Sequence, residues 1–181
     1  MIPVPNRKDW QIGVIGTGGI SDSHLNAYAT EGWQVSAIWN RTRTTAEAKR
    51  DALAPTARVE DDWQQILADP AIDIVDITLH PEHRTQIVEA ALQAGKHVLS
   101  QKPFVTDLDT GERLVTLAED MGVKLAVNQN GRYAPHFQYM RDSVRNGKIG
   151  TLSSVHARVH WDHSWTAGTP FDNLEDLLLY D

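Results

Sequence analysis

Lys102 and Pro103 follow the short apolar run His97–Ser100, which itself follows a glycine stop at Gly95. The order reads as helix end, buried strand, then a lysine set directly before a proline. A lysine at the carboxyl end of a parallel strand stands where open α/β sheets bind ligands. Proline restricts the backbone of the preceding residue, which aims the Lys102 ammonium. Near the amino terminus, Gly13-Val14-Ile15-Gly16-Thr17-Gly18-Gly19-Ile20-Ser21 offers complementary chemistry. Gly16 permits a tight turn and Gly18 lets backbone approach a pyrophosphate. The next helix presents unpaired N–H groups and a positive dipole end. Ser21 replaces the third glycine of the usual fingerprint. Gly16, Thr17, Gly18, Gly19 and Ile20 are therefore candidate dinucleotide contacts, with an ordinary tight turn as the alternative.

If that turn holds a dinucleotide, Lys102 becomes a proton donor and acceptor beside a nicotinamide. The end of the second strand should choose the cofactor, because a carboxylate there suits NAD and an arginine suits NADP. This chain has Asn40-Arg41-Thr42-Arg43 and no carboxylate. NADP is favoured over NAD through Asn40, Arg41 and Arg43, unless the arginines belong to a solvated loop that only starts a helix. Thr78, Leu79, His80 and His83 follow the fourth strand and fall near the nicotinamide ribose; His83 suits an exposed helix start equally well. His24 either approaches the cofactor or only packs. No metal site is expected of His160, Asp162 and His163, since residues three apart on a strand point to different sides. Trp161 and Trp165 suit a sugar-stacking surface, a core or a subunit interface.

The elements that would position these residues alternate. Strands are expected at Gln11–Ile15, Val35–Trp39, Ile72–Thr78, His97–Ser100 and Lys124–Asn128. Helices follow: one capped by Ser21 or Asp22, then Thr44–Leu53, one capped by Asp61 and Asp62, one opened by Pro81, and Asp107–Met121. This pattern predicts an α/β fold, a doubly wound parallel sheet. Beyond Asn128 it changes. Pro135–Asn146 reads as a helix, and Leu152–Trp161 alternates as a strand with one apolar and one polar face. Such a strand suits an open, mainly antiparallel sheet of an α+β domain. The expected division is residues 1–128 and residues 129–181.

With a net charge of -7, the chain has no basic excess with which to neutralise phosphates, so nucleic acid and anionic membrane are not expected partners. The sequence has 41% hydrophobic and 23% charged residues and no cysteine. It shows no signal-peptide core and no apolar run of spanning length. A cytoplasmic protein is the expectation.

The chain resembles the glucose–fructose oxidoreductase / inositol dehydrogenase (Gfo/Idh/MocA) family of two-domain NAD(P)-dependent sugar and polyol oxidoreductases. The resemblance rests on the glycine turn through His24, Ala90–Val98, Lys102-Pro103, Asn130–Pro135 and Gly147–Gly150. It implies NADP or NAD as cofactor, a sugar- or polyol-like small-molecule substrate, and a homo-oligomer formed through the second domain. Lys102 would bind the reacting oxygen, and Gln101 and Asn130 join the cofactor contacts. Asp181 falls in the position of the family's Asp-x-x-x-His pair, whose histidine would lie four residues on, so a piece of a longer protein is expected. Two positions depart from the family: Gln101 replaces a glutamate and Arg84 a histidine. Loss of the carboxylate favours a neutral lysine, which suits either proton acceptance or reduced activity. A non-catalytic dinucleotide-binding protein and a reductase of imines or pyrroles are the competing readings.

Overall fold

A computed structural model of the chain describes residues 9–158, 160, 162 and 164–169. The chain divides into two compact units, Met1–Asn128 and Gln129–Asp181. In the first unit six strands form one parallel sheet: β1 (Gln11–Ile15), β2 (Gln34–Trp39), β3 (Arg58–Val59), β4 (Ile74–Ile77), β5 (His97–Gln101) and β6 (Leu125–Asn128). Their spatial order is β3-β2-β1-β4-β5-β6, with every pairing parallel. The doubly wound sheet expected from the sequence is present. The two-residue strand β3 was missed, being too short to show any alternation.

The strands alternate their side chains between two apolar layers. Ile12, Val14, Val35 and Ile38 pack with Leu25 of α1 (Ser21–Glu31) and Ala46 of α2 (Arg43–Leu53). Ile15, Ala37, Val75, Ile77 and Val98 pack with Ile66 of α3 (Trp63–Ala68), Val88 and Leu92 of α4 (Pro81–Gln93), and Leu114 of α5 (Leu108–Asp120). Burial on both faces explains why these strands read as apolar runs.

Local signals set the helix ends. Asp62 accepts from the Gln64 N–H at 3.2 Å while Gln65 Oε1 accepts from the Asp62 N–H at 3.3 Å, a reciprocal cap. Asp107 caps α5 through the Thr110 N–H at 2.8 Å. The expectation at α1 is corrected: Ile20 is the N-cap and no side chain caps it. Ser21 Oγ instead donates to the Gly18 carbonyl at 2.6 Å, so the hydroxyl tightens the turn. Lys96 is buried and donates to the carbonyls of Asp69 (2.6 Å) and Ile72 (2.7 Å), pinning the approach to β4.

The second unit contains a 3₁₀ turn at Asn130–Tyr133, helix α6 (Pro135–Arg145) and a 3₁₀ turn at Ser164–Thr166. The strand expected at Leu152–Trp161 is corrected over its described part: residues 152–158 form no strand and are exposed. Alternation alone does not make a strand; its N–H and C=O groups need a neighbour, and no strand among the described residues pairs with it. Trp161, His163 and Asp181 lie outside the described residues. Among the described residues no helix is long and apolar enough to cross a membrane.

Gly13 sits where β1 meets α3, and a Cβ there would come within 2.3 Å of Ile66 Cγ2. Gly13→Ala is expected to lower stability by about 1–3 kcal/mol in denaturant unfolding, the usual range for overpacking. Adding Ile66→Leu, which removes that methyl, should recover part of the loss.

Candidate active site

The parallel register sets the site. Trp39, Ile15, Ile77 and Ser100 lie on one row across β2, β1, β4 and β5. The residues that follow, Asn40, Gly16, Thr78 and Gln101, therefore emerge together at the carboxyl edge. The chain order reverses about β1, whose neighbours are β2 and β4, and crevices at such a switch point hold ligands in open α/β sheets.

The turn after β1 is held from three sides. The Gly16 N–H donates to the Trp39 carbonyl at 2.8 Å, and Thr78 Oγ1 donates to the Gly16 carbonyl at 2.7 Å. The Thr17 N–H donates to Asn40 Oδ1 at 3.1 Å. Gly16 has φ +100°, and a Cβ there would also press on Leu79 Cδ2 at 2.9 Å. A Cβ on Gly18 would enter open space, so the backbone at Gly18 is bare toward the groove. Gly19 and Ile20 are exposed at the start of α1.

A groove of about 540 Å³ opens here, lined among others by Gly18, Asn40, Arg41, Thr78, Leu79 and His80. His83 also lines it, exposed on the first turn of α4. Trp39, Trp63 and Gln64 complete one wall. Sequence reasoning missed all three; a tryptophan ending a strand and another just after an Asp-Asp cap were the available signal. The bare backbone at Gly18, the α1 N-terminus and the polar groove suit a dinucleotide pyrophosphate and ribose.

Arg41 and Arg43 part company. Arg41 lines the groove, whereas Arg43 donates to Glu47 Oε1 at 2.9 Å and pairs with Asp61. Its place on the first turn of α2 puts Glu47 one helical turn away. The two carboxylates hold its pKa above the ordinary arginine value, with the Glu47 hydrogen bond the larger cause. Arg43 is thus engaged by two carboxylates and lies outside the groove lining, which sets it apart from Arg41.

Behind the turn lies a polar network that periodicity did not show. His24 of α1 donates from Nδ1 to Asp76 Oδ2 at 2.7 Å, and the Tyr28 hydroxyl donates to the same oxygen at 2.8 Å. Burial first, then the Asp76 charge, pushes the Tyr28 phenol far up and keeps its proton in place. His24 Nε2 lies 2.9 Å from Asn128 Nδ2 and 3.3 Å from Gln101 Nε2. Gln101 Oε1 accepts the Lys102 N–H at 2.6 Å. His24 therefore packs behind the site and joins Lys102 through Gln101. Asp76, a carboxylate inside the apolar β4 sequence Ile-Val-Asp-Ile, was the overlooked signal. Lys102 is half-buried, and its bond to Pro103 is cis. Asn130 lies in the second unit, in the 3₁₀ turn. Among the described residues no cluster of three or more His, Asp or Glu is placed to hold a metal ion.

The fold and groove together define a dinucleotide-binding α/β domain. The model of the oxidoreductase family with the NAD-binding Rossmann fold, Gfo/Idh/MocA, matches residues 10–129, and the chain belongs to that family. It is 34% identical over 146 residues to a D-apiose dehydrogenase of Paraburkholderia graminis, covering 80% of this chain and 38% of that protein. It is 32% identical over 151 residues to the scyllo-inositol 2-dehydrogenase (NADP(+)) of Bacillus subtilis, covering 80% and 40%. The crystal structure of the WlbA dehydrogenase of Bordetella pertussis, in complex with NADH and UDP-GlcNAcA, superposes with a TM-score of 0.72 at 27% identity, over 80% of this chain and 44% of that one. The chain spans between 34% and 44% of the length of these and several other curated relatives that it matches.

Arg84 is 1% exposed. Its Nη1 donates to the Leu79 carbonyl at 2.9 Å, while Nε and Nη2 have no partner among the described residues. Burial pulls its pKa down to about 10, against a smaller opposing effect of Glu82. The unfolded chain then binds more protons between about pH 10 and the ordinary arginine value, so stability rises with pH across that window. Arg84→Met is expected to raise the unfolding free energy of this chain at pH 7 by about 1–3 kcal/mol. In denaturant titrations the advantage should shrink above pH 10.

Proposed function

We propose that the complete protein is an NAD(P)-dependent oxidoreductase acting on a secondary alcohol or carbonyl of a sugar- or polyol-like substrate. One observation carries this reading: the groove beside the glycine turn and Lys102 stand at the same carboxyl edge of one sheet, where Thr78 ties down the turn after β1 and Gln101 joins α1 to Lys102. The names of the relatives, an apiose and an inositol dehydrogenase, support the substrate class.

The backbone around Gly18 and the N-terminus of α1 would seat the pyrophosphate, and Thr78 to His80 would flank the nicotinamide ribose. When bound, the nicotinamide supplies or accepts the hydride. Lys102 would bind the substrate oxygen and hold or yield the proton that balances its charge. Asp181 remains the proposed first member of the family's acid/base pair.

For the cofactor we favour NADP, through Arg41 alone. Arg41 lines the groove at the end of β2, and no carboxylate follows that strand to select a free ribose hydroxyl. Fluorescence titrations should show NADPH binding tighter than NADH. Arg41→Ala should weaken NADPH by about 10- to 100-fold, the range for a lost charge-assisted hydrogen bond, and leave NADH nearly unchanged. Arg43→Ala should change neither by more than about threefold. Tighter NADH binding by the wild type would reject the preference.

In the complete protein, Lys102→Met should lower kcat by about 10²–10⁴-fold on a responsive polyol, the range for a lost acid/base group, with cofactor affinity retained. Cofactor binding with no turnover across a broad panel of polyols would favour the non-catalytic alternative.

A further inference from the structure

We propose that His24 is a positioning residue for Lys102, held as a neutral imidazole protonated on Nδ1, and that the amide of Gln101 both selects this state and transmits it.

The Lys102 N–H fixes the orientation of its neighbour's amide. At 2.6 Å it donates to the Gln101 side chain, and an N–H meets only an acceptor, so the atom facing it is the carbonyl oxygen. The orientation of the Gln101 amide is thereby fixed, and its NH₂ group must face His24 Nε2 at 3.3 Å. A ring nitrogen opposed by an NH₂ accepts, so Nε2 carries no proton. Asn128, 2.9 Å from the same nitrogen, then presents its own NH₂ group. The imidazole proton resides on Nδ1, where Asp76 Oδ2 accepts it at 2.7 Å. This tautomer is assigned from the network of partners.

The five members come from four elements: Asp76 from β4, Gln101 from β5, Asn128 from β6, and His24 with Tyr28 from α1. Asp76 is the one ionisable group hydrogen-bonded to the ring among the described residues, and Tyr28 shares its oxygen. Gln101 and Asn128 contribute amides only. An amide suits position 101 because it accepts from Lys102 and donates to His24 at once. A carboxylate could accept from Lys102 but would offer nothing to a neutral Nε2. It would need the imidazolium, and the link would then hold at low pH and fail as pH rises. Gln101 thus makes the support of Lys102 independent of the histidine's charge.

The assignment of a catalytic role to Lys102 rests on the function proposed above; the state of His24 does not. The test is nitrogen-15 spectroscopy of the histidine rings in this chain, without cofactor. The expected wild-type spectrum at pH 7 shows Nδ1 protonated and Nε2 bare. In Gln101→Glu both nitrogens should be protonated at pH 6, with one proton lost as pH rises. In Gln101→Met the Lys102 N–H should exchange with solvent at least about 10-fold faster, the equivalent of one lost hydrogen bond. Gln101→Glu should restore its protection at pH 6, while the amides of Val98 and Leu99 stay unchanged in all three proteins. In the complete protein, Gln101→Glu should acquire a kcat that declines as the imidazolium is lost, a limb absent from the wild type.

A wild-type ring protonated on Nε2, or on both nitrogens, overturns the proposal with no variant needed. So does a Gln101→Glu spectrum identical to wild type, or an unaltered Lys102 exchange rate in Gln101→Met. Absence of turnover in the complete wild type would reject the proposed function and leave the spectra to decide the state of His24.

Discussion

Asp76 is a carboxylate with no exposed surface, set in one of the two central strands of a parallel sheet. A charge in that place costs several kcal/mol in lost hydration, and it persists only if donors converge on it. Here the donors come from one helix, α1, whose His24 and Tyr28 reach the same oxygen. The pairing fixes how α1 lies on the sheet. Because the N-terminus of α1 forms one wall of the glycine turn, the carboxylate also fixes the place where a phosphate would sit. The remaining edge of the imidazole then meets β5 and β6, so the constraint passes on to the residue before Lys102.

A parallel sheet brings such distant positions together cheaply. Register alone aligns Gly16, Asn40, Thr78 and Gln101, which are separated by up to eighty-odd places in the chain. Each supplies a bond to its neighbour strand or to the turn, so the edge is polar yet closely tied. The apolar layers above and below give that edge its rigidity and add no chemistry of their own.

The parts of this arrangement that follow from local rules were legible in the sequence. Apolar runs marked five of the six strands, Asp62, Pro81, Asp107 and Gly95 marked helix ends, and the glycine turn marked the groove. What depends on contacts between elements was not legible. Arg43 looked equivalent to Arg41 until the fold laid Asp61 beside it. Ser21 looked like a helix cap, yet its hydroxyl turns back onto Gly18 because the turn is tight enough to receive it. His24 and Asp76, fifty-two residues apart, gave no joint signal at all. Residues 152–158 show the reverse: alternation in the sequence, with no strand among the described residues to pair with them.

The bipolar amide of Gln101 also has a genetic side. Glutamine and glutamate codons differ by one base, so a single nucleotide change exchanges a side chain that both gives and takes for one that only takes. The fold would scarcely register it, since volume and shape are kept. A lineage carrying this domain can therefore pass between a charge-indifferent and an acid-dependent support for its lysine in one mutational step, leaving the cofactor groove as it was.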